Sequence, residues 1–389
     1  MLGTVRKEKI HIRDIDFRLI IYVTILSVIG VLVVHSATAN EVTTSLVSTT
    51  VKQVIGVCGG LVIMTVFMLI DYHKLVKFSW IFYALAILTL LYVQIFTTAI
   101  SGAKRWIHIP FFGTIQPSEF AKPALILFLS FIGYKLQEKI DRFYGILLFL
   151  LGAAPVLVLV LKEPDLSTSI ILAFVVINVL FLSGVSYKWI IGVLIALIPV
   201  VVLFFVAVYQ PGQKILYTLF EEHQVQRINA FFFPDEYPSL IYQQSTSVMA
   251  IGSGGLFGKG LNNSSLESVK NGSFLSEEQC DFIFAVIGEE LGFVGAAVII
   301  ILISLVVIEC LLIAKKCTDT VGRVIAAASG ASIGIQSFIN IGVACLILPN
   351  TGIPLPFLSA GLSSLLGSFI MIGLVLNVGL HGRLKRRVF

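Results

Sequence analysis

The segment LGFVGAAVIIILISLVVIECLLIA, residues 291–314, is apolar apart from one acid and a few small residues. At about 1.5 Å per residue it makes ~36 Å of helix, enough to cross a bilayer alone. Similar runs recur along the chain, and ten spans are expected, at roughly 17–36, 54–70, 77–98, 118–134, 144–161, 167–184, 188–208, 282–314, 323–347 and 360–380. Inside hydrocarbon a backbone must satisfy its own polar groups, so runs of this kind fold as packed helices. Composition agrees: 13% of the residues are charged, against about 25% in soluble domains. The expected fold class is therefore all-α, a polytopic membrane protein, with residues 1–389 as one membrane domain. Charged residues up to Arg18 run directly into the first apolar run without a small-residue cleavage site, so that helix is expected to be retained.

An even number of spans puts both termini on one side. Segments on that side carry 18 of the 27 Lys and Arg residues, and the excess marks it as cytoplasmic. The net charge of +5 follows from this topology and does not point to nucleic acid. The five Cys are scattered and odd in number, and form neither a disulfide framework nor a zinc pattern. The long outward loop, 209–280, is the one candidate for a substantial element outside the membrane. Within it, GSGGLFGKG (252–260) has Ser253 where a phosphate loop needs Gly, and Gly260 where it needs Ser or Thr, so no nucleotide is expected. A tight, mobile turn is the better reading. The sequons at Asn262, Asn263 and Asn271 are weak signals.

The chemistry gathers on the outward side. In QPSEFAK (116–122), Pro117 suits the first helical position and Glu119 the positive end of the helix dipole. Lys122 shares a face with Glu119. A capped helix start with a surface ion pair explains these residues; the nearby Lys104, Arg105 and Trp106, at headgroup height, favour a lipid phosphate instead. Asp165 in EPDLST (163–168) either caps the following helix or belongs to a site. The stretch SEEQCDFIFAVIGEELGF (276–293) holds five carboxylates, Glu277, Glu278, Asp281, Glu289 and Glu290. Burying them in lipid would cost about 2.5–3.5 kcal/mol or more each, so they belong to an outward extension or a wet cavity. Asp281, where loop meets helix, is the candidate for chemistry. Glu277 and Glu278 are expected to be solvated, and Glu289 and Glu290 to be structural.

QPSEFAK, KEPDLST, QQSTSVMAIGSGGLFGKG, EEQCDFIFAVIGEELGFVG and TGIPLPFLS follow one another in the order seen in the SEDS family, and the chain resembles RodA, FtsW and SpoVE over nearly its whole length. Its short tails resemble RodA more than a division protein with long extensions. The resemblance implies a ten-helix glycosyltransferase that polymerises lipid II into peptidoglycan outside the membrane, beside a class B penicillin-binding protein. It matches Asp281 to the family's essential aspartate, and Glu119, Lys122 and Asp165 to its other important polar residues. Asp281 would be the general base, with Lys122 and Arg105 towards phosphate. Glu119 and Asp165 would orient these groups or, with Asp281, hold a divalent cation such as Mg or Mn. Where the family commonly continues with Tyr-Gly-Gly, this chain has Ala360-Gly361-Leu362. A lipid flippase and a non-catalytic scaffold are the competing readings. A transporter would place its polar groups near the midplane, often on inverted repeats, and neither is visible here.

Overall fold

The computed structural model describes residues 15–39, 47–97, 104–109, 113–163, 165–210, 213–219, 222–262 and 278–382. Helices α1 (Phe17–Ala37) and α2 (Thr49–Leu69) are followed by the short α3 (Tyr72–Lys77) and by α4 (Ser79–Phe96). A two-stranded hairpin, β1 (Ile107–Ile109) and β2 (Gly113–Ile115), then leads into α5 (Pro117–Leu136). Next come α6 (Phe143–Leu161), α7 (Leu166–Leu182) and α8 (Tyr187–Tyr209). The long loop contains α9 (Lys214–Leu219), α10 (Glu222–Phe232) and α11 (Pro238–Ser253), so much of it is ordered helix. Helices α12 (Ile283–Lys316), α13 (Thr320–Ala344) and α14 (Leu362–His381) complete the bundle.

Ten of these helices coincide with the ten expected spans. Eight, namely α1, α2, α4, α6, α8, α12, α13 and α14, are long and apolar enough to cross a membrane. Of the other two, α7 is apolar but shorter, and α5 carries Glu119, Lys122 and Lys135. The starts are capped by side chains: Asp16, Ser48, Asp71, Asp165 and Asp319 each accept from a backbone N–H in the first turn. Such caps satisfy donors that an apolar surrounding cannot.

The helices sort by burial. In α14, 83% of the membrane-length window is buried, against 6% in α8, so α14 is the centre of the bundle and α8 its lipid-facing margin. Helix α14 lies against α2, α5, α12 and α13. Ser363, Ser364, Gly367, Ser368 and Gly373 on α14 face this interface, where small residues let helix backbones approach closely. A second polar knot ties the opposite end of the bundle. There Tyr72 N–H donates to Asn377 Oδ1 at 2.9 Å, the Asn377 amide donates to Phe67 and Ile70 carbonyls, and Thr318 N–H donates to Gly382 O at 3.2 Å. The end of α14 is thereby fixed to the α2–α3 and α12–α13 turns. The other end is left to hold the site.

Candidate functional site

The site is assembled from four pieces at the end of the bundle where α1 finishes and α5, α7 and α12 begin. The first piece is the start of α5. The hairpin delivers Gln116, whose N–H donates to Ser363 Oγ at 2.9 Å, and Pro117 opens the helix. Glu119 and Lys122 share a face as expected, with 2.7 Å between Oε2 and Nζ. They are not a surface pair. Lys122 is fully buried and Glu119 nearly so, and Lys122 Nζ also donates to Gln336 Oε1 of α13 at 2.6 Å. Gln336 passes the connection on, donating from Nε2 to Pro354 O at 3.0 Å and Ser364 Oγ at 3.1 Å. Lys122 thus stitches α5 to α13, α14 and the last loop.

The second piece is the α6–α7 turn. Asp165 is both cap and site residue. Its Oδ1 accepts from Thr168 N–H at 3.0 Å; its Oδ2 accepts from Thr168 Oγ1 and Gln116 Nε2, each at 2.9 Å, and lies 3.5 Å from an Arg105 guanidinium nitrogen. Glu163, two residues earlier, is fully buried, and neither of its carboxyl oxygens has a hydrogen-bond partner among the described residues. Burial, and then the charge of Asp165, push its pKa up to about 8, against the pull of Arg105.

The third piece is the loop around Asp281, which precedes α12 rather than lying on it. Asn340 Nδ2 donates to Asp281 O at 2.8 Å and to Ile353 O at 2.7 Å. Ser359 Oγ donates to Cys280 O at 2.6 Å, and Ala360 N–H to Gln279 O at 2.8 Å. Ala360, at the departure from the family pattern, therefore contributes through its backbone. The fourth piece is Arg227 on α10. A side-chain carbon added at Gly352 would sit 3.2 Å from Asp281 Oδ2 and 4.0 Å from an Arg227 guanidinium nitrogen, so carboxylate and cation flank one point. The Arg227 side chain is exposed, yet lining a cavity it loses part of its solvent; this desolvation, followed by the neighbouring Arg105 charge, lowers its pKa, while Asp281 and Asp165 oppose this.

Together these pieces enclose a cavity of about 690 Å³ whose lining includes Arg105, Arg227, Asp281, Gln116, Lys52 and Gln243. Of the residues singled out from the sequence, Asp281, Arg105 and Trp106 reach it, and so does the Ala360-Gly361-Leu362 stretch. Glu119, Lys122 and Asp165 stand behind its wall. Arg227, Lys52, Gln116 and Glu163 escaped sequence reasoning. Gln336 and Asn340 carried a readable signal, being two carboxamides four apart within an expected span. Among the described residues no three His, Cys, Asp or Glu side chains converge to hold a metal ion. Glu119 is engaged by Lys122, Asp165 by Gln116, Thr168 and Arg105, and Asp281 faces Arg227. This donor set does not fit a divalent cation held by Glu119, Asp165 and Asp281 together.

The remaining acids divide differently from expectation. Glu277 lies outside the described residues, and Glu278 is buried, not solvated. Glu289 and Glu290 are held by side chains: Lys259 Nζ is 2.7 Å from Glu289, and Ser36 Oγ donates to Glu290 at 2.5 Å. Both pairs belong to a break in α12. Gly292 has φ +66°, and the ladder is interrupted there. The GSGGLFGKG segment fills the gap: Lys259 and Gly260 N–H donate to Glu289 and Glu290 carbonyls, and Phe293 and Val294 N–H donate to Gly255 and Leu256 carbonyls. The expected mobile turn is a clasp.

A family model for cell cycle proteins of the FtsW/RodA/SpoVE type matches residues 17–384. A probable peptidoglycan glycosyltransferase FtsW from Trichlorobacter lovleyi is 33% identical over 392 residues, covering 97% of this chain and 96% of that protein. Its counterpart from Geobacter metallireducens is 32% identical, covering 95% and 96%. Among solved structures, a chain from a study of a peptidoglycan synthase complex that coordinates polymerisation and crosslinking superposes with a TM-score of 0.74 at 24% identity, over 94% of this chain and 97% of that one. The rod shape determining protein RodA of Thermus thermophilus gives 0.65 at 24% identity, over 94% and 96%.

Proposed function

The chain belongs to the FtsW/RodA/SpoVE family of SEDS proteins, and we propose that it is a peptidoglycan glycosyltransferase whose cavity at the Asp281 end polymerises lipid II on the outer face of the membrane. One observation carries the assignment of the site: a carboxylate and two guanidinium groups share a cavity at the end of a membrane bundle.

The reaction joins an acceptor sugar hydroxyl to the anomeric carbon of a donor carried on a polyprenyl diphosphate. Asp281 takes the hydroxyl proton as the oxygen attacks. The new C–O bond forms as the bond to the diphosphate breaks, and the departing electron pair stays on the diphosphate. Attack opposite the leaving group inverts the anomeric centre. Arg105 and Arg227 stand where that anion would gather charge, and pre-oriented cations of this kind stabilise it without reorganisation. An anion placed between them would relieve the repulsion of one guanidinium by the other. Glu119 and Lys122 hold the wall, and Asp165 orients Arg105. The ionised groups of the site lie at one end of the bundle, whereas a flippase would need them near its midplane. The partner that fits the family is a class B penicillin-binding protein, whose transpeptidase acts on the strands made here.

Polymerisation of lipid II by the purified chain with that partner is the test. Asp281→Asn keeps the size and removes the base, and is expected to lose about 10²–10⁴-fold in rate. Arg227→Ala is expected to lose about 10²-fold, the scale of one oxyanion donor. Wild-type turnover by Asp281→Asn would remove the assignment.

A further inference from the structure

Five carboxamides line the polar cavity: Gln53, Gln116, Gln243, Gln279 and Asn350. Two of them use their amide nitrogens on its wall. Gln53 Nε2 donates to Ser359 O at 3.2 Å, and Gln116 Nε2 to Asp165 Oδ2 at 2.9 Å. The other three gather around Asp281. Gln279 precedes it by two residues, and Asn350 precedes Gly352 by two. Asn340 clamps these two loops together through Asp281 O and Ile353 O, and a side-chain carbon at Gly352 would touch Asp281 Oδ2. Two residues of chain span at most about 7 Å, so the backbones of both carboxamides stay close to the base. Gln243 arrives from α11. Its neighbour Gln244 fixes that helix against the end of α13, donating to Val343 O at 3.0 Å and Leu348 O at 2.8 Å, and Ser247 Oγ donates to Ala344 O at 2.8 Å.

Gln243 and Asn350 are thereby held opposite one another, with Asn350 Nδ2 donating to Gln243 Oε1 at 3.4 Å. Ordinary N–H···O bonds end near about 3.2 Å, so this one is long and readily exchanged for a better partner. Both side chains are half-buried. A carboxamide offers a carbonyl acceptor and N–H donors. An acetamido group offers one of each, the complementary set. The acceptor sugar of lipid II, N-acetylglucosamine, carries such a group at C2, two ring bonds from the carbon that bears the attacking 4-hydroxyl. We propose that Gln243, Gln279 and Asn350 form the subsite for this acceptor sugar, and that Gln243 and Asn350 read its acetamido group. This rests on the proposed function and names what the cavity recognises besides the diphosphate. Arg105 and Arg227 are donors suited to an anion and carry no information about a neutral sugar. An acetamido group placed between two carboxamides fixes the rotation of the ring, and with it the direction of the 4-hydroxyl, before Asp281 takes the proton. Gln243 and Asn350 are on this account positioning residues.

The test compares lipid II with an analogue in which glucose replaces the N-acetylglucosamine, so that C2 carries a hydroxyl. Two hydrogen bonds of ordinary strength are lost, and wild type is expected to prefer lipid II by roughly tenfold to a hundredfold in kcat/KM. Asn350→Ala and Gln243→Ala are expected to lower kcat/KM on lipid II and to shrink that preference towards unity, because the analogue has little further to lose. Gln53→Ala, whose amide serves the wall, is expected to keep it. A general loss of packing would slow both substrates alike and leave the ratio unchanged. The wild-type comparison needs no variant, so it decides even where a substitution prevents insertion: equal kcat/KM on the two substrates sinks the subsite and keeps the proposed function. An undiminished preference in both alanine variants, inserted and as thermostable as wild type, has the same consequence, as does a preference erased equally by Gln53→Ala. A chain that polymerises neither substrate removes the proposed function and the subsite together.

Discussion

Among the described residues, Glu163 is fully buried with both carboxyl oxygens unpartnered. Its pKa stands near 8 in the folded chain against an ordinary 4.5. The folded protein therefore holds a proton that the unfolded chain has released between those values. Stability is greatest below the ordinary carboxylate pKa and is lost as pH rises towards 8. Glu163→Gln removes the titration. Wild type and variant are expected to melt at similar temperatures at pH 5, and the variant to be the more stable at pH 8; parallel melting curves across that range would contradict it. Lys122 makes the opposite case, a buried charge fully paired. Lys122→Ala leaves Glu119 buried without its cation, an expected cost of about 3–5 kcal/mol. Adding Glu119→Gln should recover part of it, and simple additivity in denaturation of the two single variants and the double would show that no pair exists. The shared face of Glu119 and Lys122 was legible in their spacing. Their depth was not, because the group that buries them, Gln336, lies 214 residues away from Lys122.

Among the elements, α12 shows how a span can be legible and its shape hidden. Residues 282–314 read as one helix because apolar residues fill them almost continuously. The break at Gly292 depends on backbone partners supplied by 255–260, which no local pattern announces. Its position has a physical logic. Ser36, next to the last residue of α1, bonds Glu290, so the break falls where the bundle meets its outer surface. The segment that follows Asp281, 283–291, can then change direction and present the loop to Gly352 and Arg227. Gly258, at φ +79°, makes the clasp possible, because a side chain there would meet the Glu290 and Gly292 backbones. Gly258→Ala is expected to lower both polymerisation and thermal stability, the latter by about 1–3 kcal/mol for a strained residue. Gly252, in the last turn of α11 with open space beside it, is the control. Gly252→Ala should be neutral or slightly stabilising by helix propensity, and equal losses in the two variants would mean that the clasp has no special role.

At the scale of the whole molecule, the bundle has two unlike ends. One end is tied by Asn377, Tyr72 and Thr318 at the turns that also carry most of the cationic residues. The other end holds the cavity, with Arg105, Arg227 and Lys52 as its cations. The helix count and this asymmetry were legible because a bilayer imposes them on composition: apolar runs must span, and Lys and Arg are retained on the cytoplasmic side. The convergence of Arg227 with Asp281 was not legible, since it depends on how a loop helix folds back over the bundle. Orientation joins the two ends to function. If the tied end is cytoplasmic, the cavity opens outward, where glycan strands are assembled. Asp235, exposed in the turn between α10 and α11, and Lys139, exposed between α5 and α6, lie at opposite ends. In a background without the five native cysteines, Asp235→Cys is expected to react with a membrane-impermeant thiol reagent in intact cells stripped of outer barriers. Lys139→Cys is expected to react only after lysis. The reverse pattern would invert the bundle, and an outward-facing lipid II polymerase could not then be built on Asp281.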